Sequence, residues 1–529
     1  MDIGTISLVL LIGMLVLLAI GMPLGFASGF LAVGVLVMKF GPELLFSRFG
    51  TGPLNILAQR MYGLATEYVL ISVPLFIFMA TLLERSGIAR DMYSSLSIWL
   101  NRTRGGIAIV TSLMAVVMAA MSGIIGGEVV LLGLIALPQM LRLGYDQNLA
   151  IGTICASGSL GTMIPPSIVL IMYGLITETS IHALFKGAFL PGFILATFYI
   201  IYILIRTRIN PSLAPLPEVS DDDMTGRQKL VYGLALLSIL AVLACSVLLV
   251  RSGFVNFFDR ADDETRYVSA DFAMKAGVIV ALLLAFLLFY IKPDRVREAW
   301  AMGKGLVAPM LVVFVVLGSI YGGITGITEA AGMGSVAVLF LIIIRGEFSL
   351  HLLKEALMRT FKSTGTIIWV TFGATALAGA YTIAGGPTYV ANLIVGAELP
   401  TLGILLVMMV IFLFLGAFMD WVGIVLLVMP VFLPIVLKLP IDEIGLLSPL
   451  VDAPRFVPVW FGILFCVNMQ VSFLSPPFGP AAFYLKSVAP PHISLPDIFR
   501  GFMPFIAIQM LILMMVLFFP ELTMLFRSE

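Results

Sequence analysis

The stretch Ile154-Cys-Ala-Ser-Gly-Ser-Leu-Gly-Thr-Met-Ile-Pro-Pro-Ser167 interrupts a run of apolar residues long enough to cross a bilayer. Paired prolines cannot continue a helix, because they lack the backbone N–H and clash with the preceding turn. Gly158 and Gly161 loosen the segment from its other side. In hydrocarbon, unpaired backbone groups are tolerated only where they are buried in protein or line a polar cavity. The break is therefore expected to face something polar. The stretch also occurs twice. Phe465-Cys-Val-Asn-Met-Gln-Val-Ser-Phe-Leu-Ser-Pro-Pro-Phe478 aligns with it without a gap. Cys155 falls on Cys466, Ser157 on Asn468, Ser159 on Gln470, and Pro165-Pro166 on Pro476-Pro477.

Composition sets the surroundings. The 529 residues are 60% hydrophobic and 11% charged, with a mean hydropathy of +1.10. Soluble proteins carry roughly 25% charged residues, so the chain reads as an all-α polytopic membrane protein. Its net charge is zero, and no basic patch points to nucleic acid. Cys155, Cys245 and Cys466 lie in apolar segments and have no metal-ligand spacing. No cleavable signal peptide is expected: Met1-Asp-Ile-Gly has no basic region, and the apolar run is too long.

Outward from the break, the first half reads as two spans (5–21 and 23–38), an amphipathic interfacial segment (52–68) and a third span (69–85). A polar connection to Arg102 and Arg104 follows. Next come two apolar limbs, Ile107–Met121 and Val129–Leu141, around Ser122-Gly-Ile-Ile-Gly-Gly-Glu128. Each limb is about 20–22 Å long, too short for a core of about 30 Å, so the pair reads as a re-entrant hairpin (107–141). The broken helix at 147–179 and a span at 188–205 complete the half.

Residues 207–303 form a linker with two inserted spans, 230–250 and 273–291, around a loop carrying Asp259, Asp262, Asp263 and Glu264. The first plan then returns. Spans at 305–322 and 328–344 precede an amphipathic stretch at 351–362, a span at 366–383, a hairpin at 402–437, a broken helix at 457–486 and a final span at 502–519. The corresponding organisation is 1–68 and 304–365 as scaffold, with 69–206 and 366–529 as two transport halves. Arg102, Arg104 and Arg142 place the base of the first hairpin in the cytoplasm, whereas Glu398, Lys438, Asp442 and Glu443 give the second no basic excess. The halves are expected to be inverted.

Two interrupted segments in matching halves point to a transporter's binding site. Helix N-termini there suit anions, and freed carbonyls suit a cation such as Na+. Two pseudo-symmetric Na+ sites are expected, each between a hairpin tip and a broken helix. Candidate binding residues are Ser157, Gly158, Ser159, Gly161, Thr162, Pro165 and Pro166, with Asn468, Gln470, Ser472, Ser475, Pro476 and Pro477. The tips add Ser122, Gly126, Gly127, Glu128, Gly416 and Asp420. Candidate Na+ ligands are Ser159, Thr162, Asp420, Gln470 and Ser475. Small polar residues also bond across packed helices with no ion present. Asp420 and Glu128 each admit two readings, an ion-binding or titrating acid and a helix cap. Glu329 reads as a helix-start acid, and Arg60, Arg359 and Lys362 as solvated or headgroup contacts. His182, His351 and His492 lie in connecting or interfacial segments, which disfavours an intramembrane enzyme.

Gly158-Ser-Leu-Gly-Thr-Met-Ile-Pro-Pro-Ser167, Leu415-Gly-Ala-Phe-Met-Asp420, Thr325-Gly-Ile-Thr-Glu-Ala-Ala331 and Ser475-Pro-Pro-Phe-Gly479 carry a resemblance. The chain resembles the large membrane subunit of tripartite ATP-independent periplasmic (TRAP) transporters, except over about 207–300. The resemblance implies an elevator-type importer of the bacterial inner membrane, in contact with membrane lipid and driven by Na+ with no other cofactor. It also implies a small four-helix membrane subunit and a periplasmic substrate-binding protein as partners, and a small organic anion as substrate. Family members commonly carry a Gly-Ser-Ser-type first tip, where this chain has Gly126-Gly127-Glu128. The alternative within transport is a stand-alone Na+/di- or tricarboxylate elevator symporter.

Overall fold

The computed structural model describes residues 1–46, 52–123, 126–217, 224–258, 270–396, 399–416, 419, 421–446, 450–477 and 479–525. Asp420, Glu398 and the acidic loop from Asp259 to Glu264 lie outside them. Among the described residues there is no strand, and nine helices are long and apolar enough to cross a membrane.

The first half runs α1 (Ile3–Ala19), α2 (Leu24–Phe40), α3 (Pro53–Ala65), α4 (Ser72–Arg85) and α5 (Ile88–Leu100). The hairpin α6 (Gly106–Ser122) and α7 (Gly127–Arg142) follows, then the broken helix α8 (Gln147–Gly158) and α9 (Ile168–Thr177), then α10 (Ile181–Ile209). The insertion is α11 (Gly226–Phe258) and α12 (Ala270–Ala285), the latter continuing as a π turn over Phe286–Ile291. The second half runs α13 (Pro293–Tyr321), α14 (Ile327–Ile344), α15 (Leu350–Ala384) and α16 (Gly386–Val395). Its hairpin is α17 (Thr401–Gly416) and α18 (Trp421–Val436), its broken helix α19 (Val457–Leu474) and α20 (Pro480–Lys486), and it ends in α21 (Leu495–Phe518).

Helix starts follow local chemistry. Asp146, Ser167, Ser180 and Ser349 each accept a hydrogen bond from an orphan backbone N–H of the first turn of α8, α9, α10 and α15. Ser494 and Asp497 form a reciprocal capping box on α21.

Two elements depart from the sequence expectation. The polar connection after residue 85 is largely a helix, α5, which buries Ile88, Met92 and Tyr93 along one face. The amphipathic stretch 351–362 and the span 366–383 are one continuous helix, α15. Ser363-Thr364-Gly365 contains no proline and no cap, so nothing ends the helix there. In the first half the equivalent pair is divided at Thr66, whose hydroxyl turns back onto the carbonyls of Tyr62 and Gly63.

Packing between the halves is reciprocal. α2 lies on α15 as α14 lies on α4, and α5 on α13 as α16 on α1. α18 packs on α9 as α7 packs on α20, while α21 packs on α8 as α10 does on α19. Among the described residues there are three apolar cores, the smallest joining α11, the π turn and the start of α13. A large one joins both hairpins and both broken helices, and a smaller one joins α1, α2, α3 and the C-terminal part of α15.

The α2–α15 contact is made backbone to backbone. A Cβ on Gly25 would lie 2.8 Å from the Trp369 ring, and one on Gly373 would fall on the Gly25 carbonyl oxygen. Small residues permit such approach between membrane helices. Gly373→Leu is expected to destabilise the protein by about 3 kcal/mol through overpacking, read as a lower melting temperature in detergent. Gly29→Leu, on a face with open space, should leave the melt unchanged. Equal melting of the two variants would refute the contact's importance.

Candidate transport site

Both broken helices stop one residue before or at a polar turn. After α8, Leu160–Thr162 forms a 3-10 turn, and the Ser167 hydroxyl donates to the Thr162 carbonyl at 2.6 Å. After α19, the chain is extended at Ser475, whose hydroxyl donates to the Val471 carbonyl at 2.7 Å. Pro165-Pro166 and Pro476-Pro477 are both cis. The first break is buried throughout, whereas Ser475 is half-buried and Pro476 and Pro477 are exposed.

Each break docks against a hairpin. Gly123 closes α6 in the left-handed region at φ +59°, and its carbonyl accepts the Ile168 N–H at 3.3 Å. A Cβ there would fall on the Pro166 carbonyl oxygen. Gly158 brings α8 against α7, where a Cβ would lie 2.5 Å from Val129 Cγ2. In the second half, a Cβ on Gly416 would fall on the Ser472 side chain.

Positions that align in sequence play equivalent parts. The Ser157 and Ser112 hydroxyls bond at 2.9 Å, tying α8 to the first limb of its hairpin. Asn468 does the same for α19, its Nδ2 donating to the Met409 carbonyl at 3.0 Å. Ser159 and Gln470, which align with each other, meet where α19 passes the turn that ends α8. Gln470 Nε2 donates to the Ser159 carbonyl at 3.2 Å, beside the Thr162 hydroxyl at 2.9 Å. Gln509 on α21 adds a third amide, its Nε2 donating to Ser159 Oγ at 3.3 Å.

The free atoms at this crossing are oxygens. Gln470 Oε1 and Gln509 Oε1 are buried with no hydrogen-bond partner among the described residues, and so, away at the Met409 contact, is Asn468 Oδ1. A buried polar atom left unpaired costs roughly 1–3 kcal/mol, and the two neutral oxygens left this way at the crossing are suited to a hard cation. Thus Ser159, Thr162 and Gln470 are brought together, Asn468, Ser472 and Gly416 form a second group, and Ser122, Gly126, Gly127 and Glu128 gather at the first tip. Gly161, Pro165 and Pro166 shape the first break; Ser475, Pro476 and Pro477 shape the second.

Sequence reasoning missed Gln509, although a lone amide in the apolar run of α21 was a usable signal. Arg359 is part-exposed, as the sequence reading expected, but it also has a protein partner. Its Nη1 pairs with Glu84 Oε2 at 2.7 Å, because the mostly buried Glu84 carboxylate requires a counter-ion. Glu329 lies in the first turn of α14 and accepts the Tyr68 hydroxyl at 2.8 Å.

Interrupted helices meeting at a buried polar centre in a polytopic helical protein are a recurring feature of secondary transporters. Residues 11–522 match the family described as "Tripartite ATP-independent periplasmic transporter, DctM component". The C4-dicarboxylate TRAP transporter large permease protein DctM of Pseudomonas aeruginosa is 24% identical over 90% of this chain and 90% of its own. The sialic acid TRAP transporter large permease protein SiaM of Vibrio cholerae is 24% identical over 97% and 96%. The ectoine TRAP transporter large permease protein TeaC of Halomonas elongata is 23% identical over 99% of both. The chain belongs to the TRAP large permease family. Membership implies secondary transport dependent on a periplasmic binding protein, a small membrane subunit as partner, and a place in the inner membrane.

Proposed function

We propose that this chain imports a small organic anion, a carboxylate such as a 2-oxo or hydroxy acid, by Na+-coupled symport on an elevator. The observation that carries the reading is the meeting of α19 and α21 with the turn that ends α8, where Ser159, Thr162, Gln470 and Gln509 gather and the Gln470 and Gln509 side-chain oxygens are unpaired. Na+ held there would fix the breaks against their hairpins and complete the anion's site, so that only loaded or empty carriers move. The hairpins and broken helices travel as the transport domain; α1, α2 and α3, with α13, α14 and the N-terminal part of α15, stay as scaffold. The reciprocal packing of the halves and the basic residues Arg102, Arg104 and Arg142 support an inverted arrangement.

The test is uptake into proteoliposomes containing this chain and its small subunit, with a panel of carboxylates offered with and without candidate binding proteins. Uptake requiring both a Na+ gradient and a binding protein is the expected result. Uptake needing Na+ alone would favour the stand-alone carrier, and uptake indifferent to Na+ would refute ion coupling at the crossing.

A further inference from the structure

The first hairpin tip holds a charge that the crossing does not use. Glu128 sits in the first turn of α7 and is 1% exposed. Its Oε1 accepts the Ser122 hydroxyl, while its Oε2 is buried and meets no donor among the described residues. A second acid stands beside it. Glu84 Oε1, from the end of α4, occupies the place that a side chain on Gly127 would fill, so glycine at 127 is what admits the second carboxylate.

The charges around the tip do not balance. Glu84 Oε2 is taken by Arg359 of α15 at 2.7 Å. Arg85 turns to Glu355, at 3.2 Å. From α20 the tip meets the Tyr484 ring, against Gly126, and from α8 it meets Gly158. Glu84, Glu128 and Glu355 against Arg359 and Arg85 leave one carboxylate unmatched. A lone ionised carboxylate out of water is costly enough that the group is neutralised or paired.

We propose that Glu128 binds one small monovalent cation, H+ or Na+, at a site separate from the meeting of α19 and α21 with the turn that ends α8, with Glu84 as a positioning acid. The site deepens the ion-coupled reading above by adding one ion to the cycle. It gives this chain a carboxylate that works independently of the neutral oxygens around Ser159. Arg359 holds Glu84 in place through their ion pair, and the Ser122 hydroxyl orients Glu128.

The test uses the purified complex and the ions themselves. Equilibrium binding of radiolabelled Na+ and infrared spectra across pH are compared between wild type and E128Q. For sodium, E128Q lowers the Na+ bound per chain by one; for a proton, it removes one protonated-carboxyl band and leaves Na+ binding intact. Either result supports the site. E84Q should retain the site and weaken it about tenfold, since a neighbouring negative charge favours cation binding. If E128Q does not fold, E128D keeps the charge with a shorter reach and should shift the same signal. E128Q or E128D with unchanged Na+ stoichiometry and unchanged carboxyl bands would overturn the proposal. These readouts do not depend on transport, so wild-type uptake indifferent to a Na+ gradient would count against the import reading alone.

Discussion

Gly123→Val is expected to reduce uptake by about 100-fold, the scale on which a misplacement of about 1 Å acts. The residue closes α6 at φ +59°, a region costing an L side chain roughly 1–2 kcal/mol. Strain is the lesser part. Any Cβ there lands on the Pro166 carbonyl oxygen, so the tip must lift from the break and surrender the bond between Ile168 N–H and the Gly123 carbonyl. The hairpin would then no longer seal the polar turn of the first broken helix. Initial rates in proteoliposomes check this, with Gly29→Val as a control on an open face. A valine variant transporting within twofold of wild type would show that the docked tip is dispensable.

The second large effect is expected at Gln470. Gln470→Leu keeps much of the volume but removes both the donor to the Ser159 carbonyl and the unpaired Oε1. On the Na+-coupled reading proposed above, the concentration of Na+ giving half-maximal uptake should rise at least about tenfold, equivalent to roughly 1.4 kcal/mol of binding. Gln509→Leu should act in the same direction, because its amide meets the hydroxyl of the same serine. Groups holding one ion are not additive, so the double variant should be little worse than the stronger single one. Unchanged Na+ dependence in both single variants would remove the crossing from the coupling mechanism.

Backbone punctuation was the most readable feature of this sequence. Prolines, glycines and limbs too short to span reveal the hairpins and the broken helices, because each is a local consequence of what a helix cannot do. α5 was less visible. Ser94, Ser95 and Ser97 dilute its apolar face, and the helix is stable because Ile88 and Met92 are buried against other elements. The continuity of α15 was hidden for the opposite reason, since a helix continues wherever nothing stops it. The Glu84–Arg359 pair joins distant stretches, and neither side chain carries a sign of its partner. Gln509 was readable as an amide among apolar residues, but its target, Ser159, emerges only from folding. Asp420, singled out in sequence, lies outside the described residues.

The unequal burial of the two breaks has a consequence for how the carrier turns over. Chemically they are near twins, with aligned cysteines, aligned prolines and the same cis geometry. Yet one is wholly covered and the other presents Pro476 and Pro477 at the surface. Two copies of one motif held in different surroundings amount to a pair of conformations written into a single molecule. On the inverted arrangement proposed above, if each half adopted the other's conformation, the covered turn would become the open one and the accessible side would reverse. The opposite-facing carrier would then need no new contact type, because each half already displays what the other would become.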